Sequence, residues 1–186
     1  MPVTHSNRRG QTYYLHAGTS KAGKPRHWFS TKAEGDLIGS IPEGYEVYEN
    51  PDGQVFLRKQ KPQVVTPEEV EVVEDGLERF APGQNCILDL RDEHIVVYHA
   101  ERVTFDLEGF GLGFRELPAS YRNFTKVMRF TLVDEGARTF RVQRWCFRGS
   151  IDRWIDLWAT GSRGKLPDLV EKFCPHIGRG SFYELM

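Results

Sequence analysis

The stretch KVMRFTLVDEGARTFRVQRWCF, residues 126–147, decides the fold class of this 186-residue chain. Two runs rich in β-branched and aromatic residues, 126–133 and 138–147, flank the polar tetrapeptide DEGA. Such runs around a short polar turn are typical of a β-hairpin. The pattern therefore predicts two antiparallel strands here.

The same stretch also carries arginines at helical spacing. Arg138, Arg141, Arg144 and Arg148 are separated by three, three and four residues, which would align them on one face of a helix. The strand is favoured because most residues between them are β-branched or aromatic. On a strand, Arg141 shares a face with Trp145, and Arg144 and Arg148 lie on the other face.

Further strands are expected on the N-terminal side of this hairpin, in pairs separated by turn-forming residues. The first twelve residues are polar and are expected to fray. If the first hairpin turns near residues 21–22, His16 lies opposite His27. The predicted strands cover residues 13–16, 27–30, 45–48, 54–58, 86–91, 95–99 and 102–107.

The strongest hairpin signal is IPEGYEVYENPDGQVFLRK, residues 41–59. Its centre is Asn50-Pro51-Asp52-Gly53, where Pro51 suits the second turn position and Gly53 tolerates a positive φ. These residues predict a tight turn between two short strands.

This hairpin resembles the opening of a WW domain over about 20 residues. Residues 41–46, IPEGYE, stand where those modules have Leu-Pro-x-Gly-Trp-Glu, and PDGQVF at 51–56 resembles their turn. The second tryptophan that forms half of a WW proline-binding groove has no counterpart in KQKPQVVTP, residues 59–67. The resemblance therefore implies the hairpin geometry and does not extend to proline-ligand binding.

A helix is predicted over residues 67–80. Thr66 can cap it, Pro67 suits the first helical position and Glu69 can complete a capping box. An apolar face follows at helical spacing. Its members are Val70, Val73, Leu77 and Phe80.

Two more helices are expected near the C-terminus. Ser150 is taken as the cap of one, with Ile151, Trp154, Ile155 and Trp158 on a single face. The other begins near Pro167 and stops at Cys174-Pro175.

Hairpins that precede and separate the helices, without β-α-β-α alternation, predict an α+β fold with mainly antiparallel sheet. We expect an N-terminal β-hairpin module over residues 1–62 and an α+β body with two or three helices over residues 63–186. The KP-containing stretch at 60–65 marks the boundary.

Charge is sorted along the chain. Residues 1–33 hold six Lys or Arg and no acid, residues 34–119 hold 19 acids and seven bases, and residues 120–186 hold 12 bases and seven acids. Segments of +6, −12 and +5 thus lie behind a total of −1. Such sorting bears on partners and on internal ion pairs.

The three cysteines are far apart in the sequence and form no CxxC pair, which indicates reduced thiols and a cytoplasmic protein. The N-terminal stretch lacks the apolar core of a secretory signal, and no apolar run approaches the length of a membrane span. A cytoplasmic protein without a membrane contact is therefore expected.

Sequence patterns for catalysis, metals and cofactors are weak. The glycines of Gly109-Phe110-Gly111-Leu112-Gly113 precede a poor helix start, which favours an aromatic-packed loop over a phosphate site. His16 and His27 lack a third ligand, and the cysteines have apolar neighbours typical of inert thiols. The chain is expected to hold no metal and no cofactor. The weakness of the catalytic patterns favours a non-enzyme over an enzyme.

Arginines interleaved with aromatic residues are the remaining signal, because this combination is used on phosphate backbones and stacked bases. Such arginines also pair with acids of the same chain, and the 19 acids of residues 34–119 favour this internal pairing over nucleic acid. A non-enzymatic binding or interaction module with a protein partner is the leading function. Nucleic-acid binding through the basic terminal segments is a disfavoured alternative, because the isoelectric point is only 6.6. A small enzyme using dispersed acids with His94 or His99 is the other. The candidate partner-binding residues are Arg141, Arg144, Arg148, Trp145, Arg26 and Trp28.

Overall fold

A computed structural model describes residues 1–83, 85–101, 104–106, 114–116, 122–157 and 161–185. The chain divides into two compact units, residues 1–61 and 62–186. Antiparallel sheets combined with two α-helices confirm the predicted α+β class. That the units are separate modules with a boundary at residue 62 stays a prediction.

The first unit contains two antiparallel sheets among its described residues. Three strands form one sheet in the order β1-β2-β3, and β4 pairs with β5 in the other. Leu15, Phe29 and Val55 are the buried centre of the unit. The strands are β1 (Thr4–Ser6), β2 (Thr12–Thr19), β3 (Pro25–Ser30), β4 (Tyr45–Glu49) and β5 (Val55–Lys59).

The N-terminal residues are ordered, so the expectation of fraying is wrong. Strand β1 pairs with β2, with Thr4 opposite Tyr14. Asn7 is buried, and its side-chain amide donates a hydrogen bond of 2.5 Å to the carbonyl of Gly53. A polar segment is held here because tertiary hydrogen bonds replace the apolar contacts that it lacks.

The register of the first hairpin differs from the predicted one by one residue. His16 lies opposite Trp28 and Ala17 opposite His27, so the two histidines lie on opposite faces of the sheet. The reason is the turn: the Ser20 N–H donates to the Lys24 carbonyl, and Gly23 has φ +73°. A three-residue loop with a left-handed glycine replaces the expected two-residue turn.

The second hairpin is confirmed. The Asn50 N–H donates to the Gln54 carbonyl, the Gly53 N–H donates to the Asn50 carbonyl, and Gly53 has φ +77°. Pro51 therefore occupies the second turn position, as its fixed φ favours.

The second unit is built on a six-stranded antiparallel sheet. Five strands follow the order β12-β11-β10-β7-β6, and β13 pairs with β11. A separate pair, β8 and β9, is described in backbone only. The elements are α1 (Pro67–Phe80), β6 (Cys86–Arg91), β7 (His94–Ala100), β8 (Thr104–Asp106), β9 (Phe114–Glu116), β10 (Phe124–Asp134), β11 (Thr139–Arg148), β12 (Ile151–Asp156), β13 (Arg163–Gly164) and α2 (Leu166–Phe173).

The hairpins predicted at 86–99 and at 126–147 are confirmed by β6–β7 and β10–β11. The helical alternative for the arginines of 138–148 is thereby wrong, because β11 pairs along its length with β10 and β12. Of the strand expected at 102–107, Thr104–Asp106 is described as β8.

Helix α1 has the predicted limits and cap. The Thr66 hydroxyl accepts from the Glu69 N–H, the Glu69 carboxylate accepts from the Thr66 N–H, and Pro67 opens the first turn. Val73 and Leu77 are buried on its apolar face. The helix α2, with Pro167 in its first turn, is also confirmed and is followed by a 3₁₀ turn at Cys174–His176.

The helix predicted after Ser150 is wrong. Residues Ile151–Asp156 form β12, which pairs with β11 so that Trp154 lies opposite Trp145. Gly149 has φ +58°, and this turn returns the chain alongside β11. The backbone of β12 is thus satisfied by a ladder that the local helical spacing does not reveal. Trp158 lies outside the described residues.

Both helices pack on one side of the sheet, where their apolar side chains join those of β7, β10 and β11 in one core cluster. Within the described part of the chain, neither helix has the length and apolar character needed to cross a membrane.

Candidate functional site

Strand alternation gives the large sheet two chemically different sides. In β10, Met128 and Phe130 are buried against the helices, whereas Arg129 and Thr131 point to the opposite side. We term that opposite side the distal face. Its central residues are Lys126, Arg129, Arg141, Trp145 and Trp154, and Arg91 lies at its β6 edge.

Two tryptophans and two cations form the centre of the distal face. The rings of Trp145 and Trp154 meet edge to face, with centroids 5.1 Å apart and an interplanar angle of 72°. Lys126 Nζ lies 3.4 Å from the Trp145 ring centroid, and Arg129 Cζ lies 4.7 Å from that of Trp154. Because a cation is attracted to the negative face of an aromatic ring, these contacts fix the orientation of both rings.

A hydrogen-bond chain crosses the strands beside the tryptophans. Arg129 Nε donates to Gln143 Oε1 at 2.7 Å, and Gln143 Nε2 donates to Asp156 Oδ1 at 2.8 Å. Arg141 Nε lies 3.6 Å from the same carboxylate oxygen. That Nε is buried and has no hydrogen-bond partner among the described residues. Asp156 therefore accepts a hydrogen bond from Gln143 and lies near Arg141 without accepting a hydrogen bond from the Arg141 Nε.

Burial and like charge act on the cations of this face. Burial lowers the pKa of Lys126, and it lowers the pKa of Arg129, with the charge of Arg141 adding to the second effect. Burial, followed by the charge of Arg129, also lowers the pKa of His94. The face thus holds its positive charges close together and partly away from water.

The opposite end of the distal face is a second polar cluster. Arg91 Nε lies 2.6 Å from Asp89 Oδ2, and an Arg91 terminal nitrogen donates to the Tyr98 hydroxyl at 3.2 Å. His94 Nδ1 and Thr131 Oγ1 are 3.0 Å apart. The buried carboxylate of Asp89 is therefore neutralised by an exposed arginine.

The six candidate residues inferred from the sequence do not form one site. Arg141 and Trp145 lie on the distal face, as strand alternation predicts. Arg144 lies on the helix side, 6% exposed, and donates to the Phe182 carbonyl at 3.1 Å. The backbone of Arg148 continues β11, and its side chain lies outside the described part of the structure.

Arg26 and Trp28 form a separate cluster in the first unit. The guanidinium carbon of Arg26 lies 5.7 Å from the Trp28 ring centroid. The His16 ring stacks on Trp28, with centroids 5.6 Å apart and planes at 11°. A Cβ at Gly18 would lie 3.0 Å from the Trp28 side chain, so a larger residue there would require the ring to shift.

Sequence reasoning missed Lys126, Arg129 and Trp154 as parts of the site. Helical apolar spacing predicts a helix at Trp154, although Ile151, Trp154 and Ile155 are β-branched or aromatic residues of the kind that strands favour. Lys126 reaches the distal face beside a register shift between Lys126 and Met128. A bulge of this kind has no reliable sequence signal, because it is set by the neighbouring strands.

Metal and thiol chemistry find little support in the described residues. No cluster of three His, Cys, Asp or Glu side chains there is suited to a metal ion. His94 and His99 lie on opposite faces of β7. Burial raises the pKa of Cys86 to about 11 and that of Cys174 to about 12, so both thiols are poor nucleophiles at neutral pH. The glycine string 109–113 lies outside the described residues.

Comparison with known protein families, curated proteins and solved structures gives no match to this chain. The distal face therefore has to be interpreted from its own geometry.

Proposed function

We propose that this protein is a non-enzymatic binding protein that contacts a protein partner through the distal face. The observation that carries the proposal is the edge-to-face pair of Trp145 and Trp154 with Lys126 and Arg129 on the rings. Tryptophan and arginine are the residue types most enriched at energetic hot spots of protein interfaces. Rings held by cations lose little side-chain freedom on binding, which favours affinity.

An exposed aromatic side chain extends this cluster. Phe147 lies two residues beyond Trp145 in β11, on the same face, and is 76% exposed. Exposed aromatic side chains next to half-buried tryptophans offer a partner apolar area that water covers in the free protein.

The balance of charge on the distal face favours a protein over a nucleic acid. Arg91 pairs with Asp89 and Arg141 with Asp156. Lys126 is close enough to a carboxylate, Asp152, for its pKa to be affected. Carboxylates between the cations would repel phosphates, whereas a protein surface can place complementary charges opposite both signs.

The proposal includes a cytoplasmic location and reduced thiols. The support for this location is that all three cysteines are free, and burial raises the pKa of the Cys86 and Cys174 thiols. Free thiols persist in reducing compartments.

Photo-crosslinking from a single position tests the partner surface. A benzoylphenylalanine replaces Phe147 in one variant and Tyr183 in a matched control, because Tyr183 is also aromatic and 73% exposed. Incubation with nuclease-treated native lysate and illumination should give a discrete protein adduct from position 147 and not from position 183.

Competition shows whether the adduct depends on the proposed residues. Excess unlabelled wild-type protein should abolish it, and the Lys126→Gln/Arg129→Gln variant should compete at least about tenfold less well, as loss of interface hot spots implies. Equal adducts at positions 147 and 183, no adduct at either, or full competition by the variant would contradict the proposal. An adduct that forms only without nuclease treatment would support the nucleic-acid alternative instead.

A further inference from the structure

Strand β6 lies at one edge of the large sheet. It pairs with β7 on one side, and in the described part of the chain no strand pairs with its other side. An edge strand of this kind presents a row of backbone donors and acceptors on which another strand can form.

The hydrogen bonds of the ladder identify the groups that face outward. The Ala100 N–H donates to the Asn85 carbonyl at 3.3 Å, which makes Asn85 and Ala100 a bonded pair. Bonded and non-bonded pairs alternate along an antiparallel ladder. The backbone groups of Cys86, Leu88 and Leu90 therefore point to the outer side of β6.

A cavity of about 630 Å³ lies beside this edge, between β6 and the C-terminal half of α1. Its apolar lining includes Leu77 and Ala81 from the helix side and Ile87 and Leu88 from the strand. A groove bounded by a helix and a strand edge has the geometry that accepts an extended peptide as an added strand.

The helix side of the groove is acidic. Glu74 and Glu78 line it, are exposed, and form no hydrogen bond or ion pair with any residue that the structure describes. Like charges four residues apart on a helix repel each other, so a cation between them would be stabilising. Burial raises the pKa of Cys86 to about 11, so its thiol stays neutral and the glutamates set the charge.

We propose that the groove between α1 and β6 binds an extended peptide segment of a partner protein by β-strand addition, with basic side chains of that segment beside Glu74 and Glu78. Backbone groups of Cys86, Leu88 and Leu90 bond to the added strand, and its apolar side chains enter the cavity. Strand β6 is at the opposite edge of the large sheet from β12. This site is therefore separate from the distal-face tryptophans of β11 and β12 and does not depend on them.

The probe is the fluorescein-labelled octapeptide VTKTVTKT, used with the full chain. Its valines and lysines share one face of an extended strand, so both can point to the groove, and threonines occupy the other face. Its controls are the same peptide with glutamate for lysine and the lysine peptide with N-methylated backbone on alternate residues. Fluorescence anisotropy should show saturable binding of the lysine peptide. The glutamate and N-methylated peptides should bind at least about tenfold more weakly, because one loses charge complementarity and the other its backbone bonds.

Matched variants separate the groove from the general charge of the helix. Glu74→Gln/Glu78→Gln should weaken binding of the lysine peptide by about three- to tenfold, the effect of two exposed ion pairs. Glu71→Gln/Asp75→Asn removes the same charge from exposed positions of α1 that do not line the groove, and should leave binding unchanged.

Amide hydrogen exchange locates the bound strand. The lysine peptide should slow exchange at Cys86, Leu88 and Leu90, whereas Ile87 and Asp89 already donate within the sheet. Absence of binding, equal binding of the N-methylated peptide, or protection confined to other strands would overturn the proposal. Slow exchange of the same three amides without peptide, together with a dimer in sedimentation, would overturn it in favour of edge pairing between two copies.

Discussion

Gly76 shows how a single residue sets the distance between two helices. It lies in the middle of α1, where a Cβ would be 2.0 Å from Cγ1 of Val170 in α2. A glycine inside a helix is less favourable than alanine by roughly 0.5–1 kcal/mol. Its presence is therefore explained by the close approach of the second helix.

We expect Gly76→Ala to destabilise the protein by about 1–3 kcal/mol, because overpacking outweighs the gain of about 1 kcal/mol in helix propensity. Urea unfolding measures the change. The double variant Gly76→Ala/Val170→Ala should lose less unfolding free energy than the two single variants lose together, because the smaller side chain at 170 removes the clash. Stabilisation by Gly76→Ala alone would show that the helices separate freely at this point.

Arg144 illustrates a different use of one side chain. It is buried on the helix side of β11, its guanidinium carbon is 5.7 Å from the Phe182 ring centroid, and it donates to the Phe182 carbonyl. No carboxylate among the described residues pairs with it. A buried cation held by a carbonyl and a ring fixes the 3₁₀ segment Gly180–Glu184 against the sheet and is inaccessible to a partner.

At the scale of elements, the start of α1 is held by its own capping box and by a residue of the central hairpin. The capping box joins Thr66 and Glu69, and Arg138, which follows β10, donates to Glu69 and to the Val64 carbonyl. The Glu69 carboxylate therefore accepts hydrogen bonds both from the Thr66 N–H at the helix start and from Arg138 of the central hairpin.

Thr66→Ala should lower the free energy of unfolding by about 0.5–2 kcal/mol, because the N–H of Glu69 loses its side-chain acceptor. Thr66→Ser keeps a hydroxyl at the cap and should stay within about 0.5 kcal/mol of wild type. Chemical denaturation of the three proteins checks the prediction. Equal losses in the alanine and serine variants would assign the effect to the lost methyl group instead of the cap.

At the scale of the whole molecule, the basic and acidic segments of the sequence form ion pairs with each other inside each unit. In the first unit, Arg8 Nε of the basic segment lies 2.7 Å from Glu49 Oε1 of the acidic segment. In the second unit, Arg138 of the C-terminal basic segment pairs with Glu69 of the acidic one. The isolated basic segments of the sequence are thus partly neutralised in the fold.

We expect no binding of random duplex or single-stranded DNA tighter than about 10⁻⁴–10⁻⁶ M at physiological salt, the range of non-specific contacts. Fluorescence anisotropy across a salt series is the measurement. Nanomolar affinity that falls steeply with salt and is lost in Arg129→Gln/Arg141→Gln, with circular dichroism unchanged, would establish the nucleic-acid alternative. A matched variant in the first unit, Lys21→Gln/Lys24→Gln, controls for net charge, because both lysines are exposed.

The sequence alone determined the features that depend on neighbouring residues. The cap and apolar face of α1, the turn at 50–53 and the hairpin at 126–147 were predictable because each rests on contacts a few residues apart. The alternation along β11 also placed Arg141 and Trp145 on one face.

Only the tertiary structure decided the features that depend on distant partners. Strand β12 carries helical apolar spacing and becomes a strand because β11 supplies its hydrogen bonds. The register of the first hairpin depends on the left-handed φ of Gly23. The position of the N-terminal residues depends on a hydrogen bond from Asn7 to Gly53. The distal face was assembled the same way, because Lys126, Trp145 and Trp154 meet only when three strands are aligned, and sequence periodicity carries no record of that alignment.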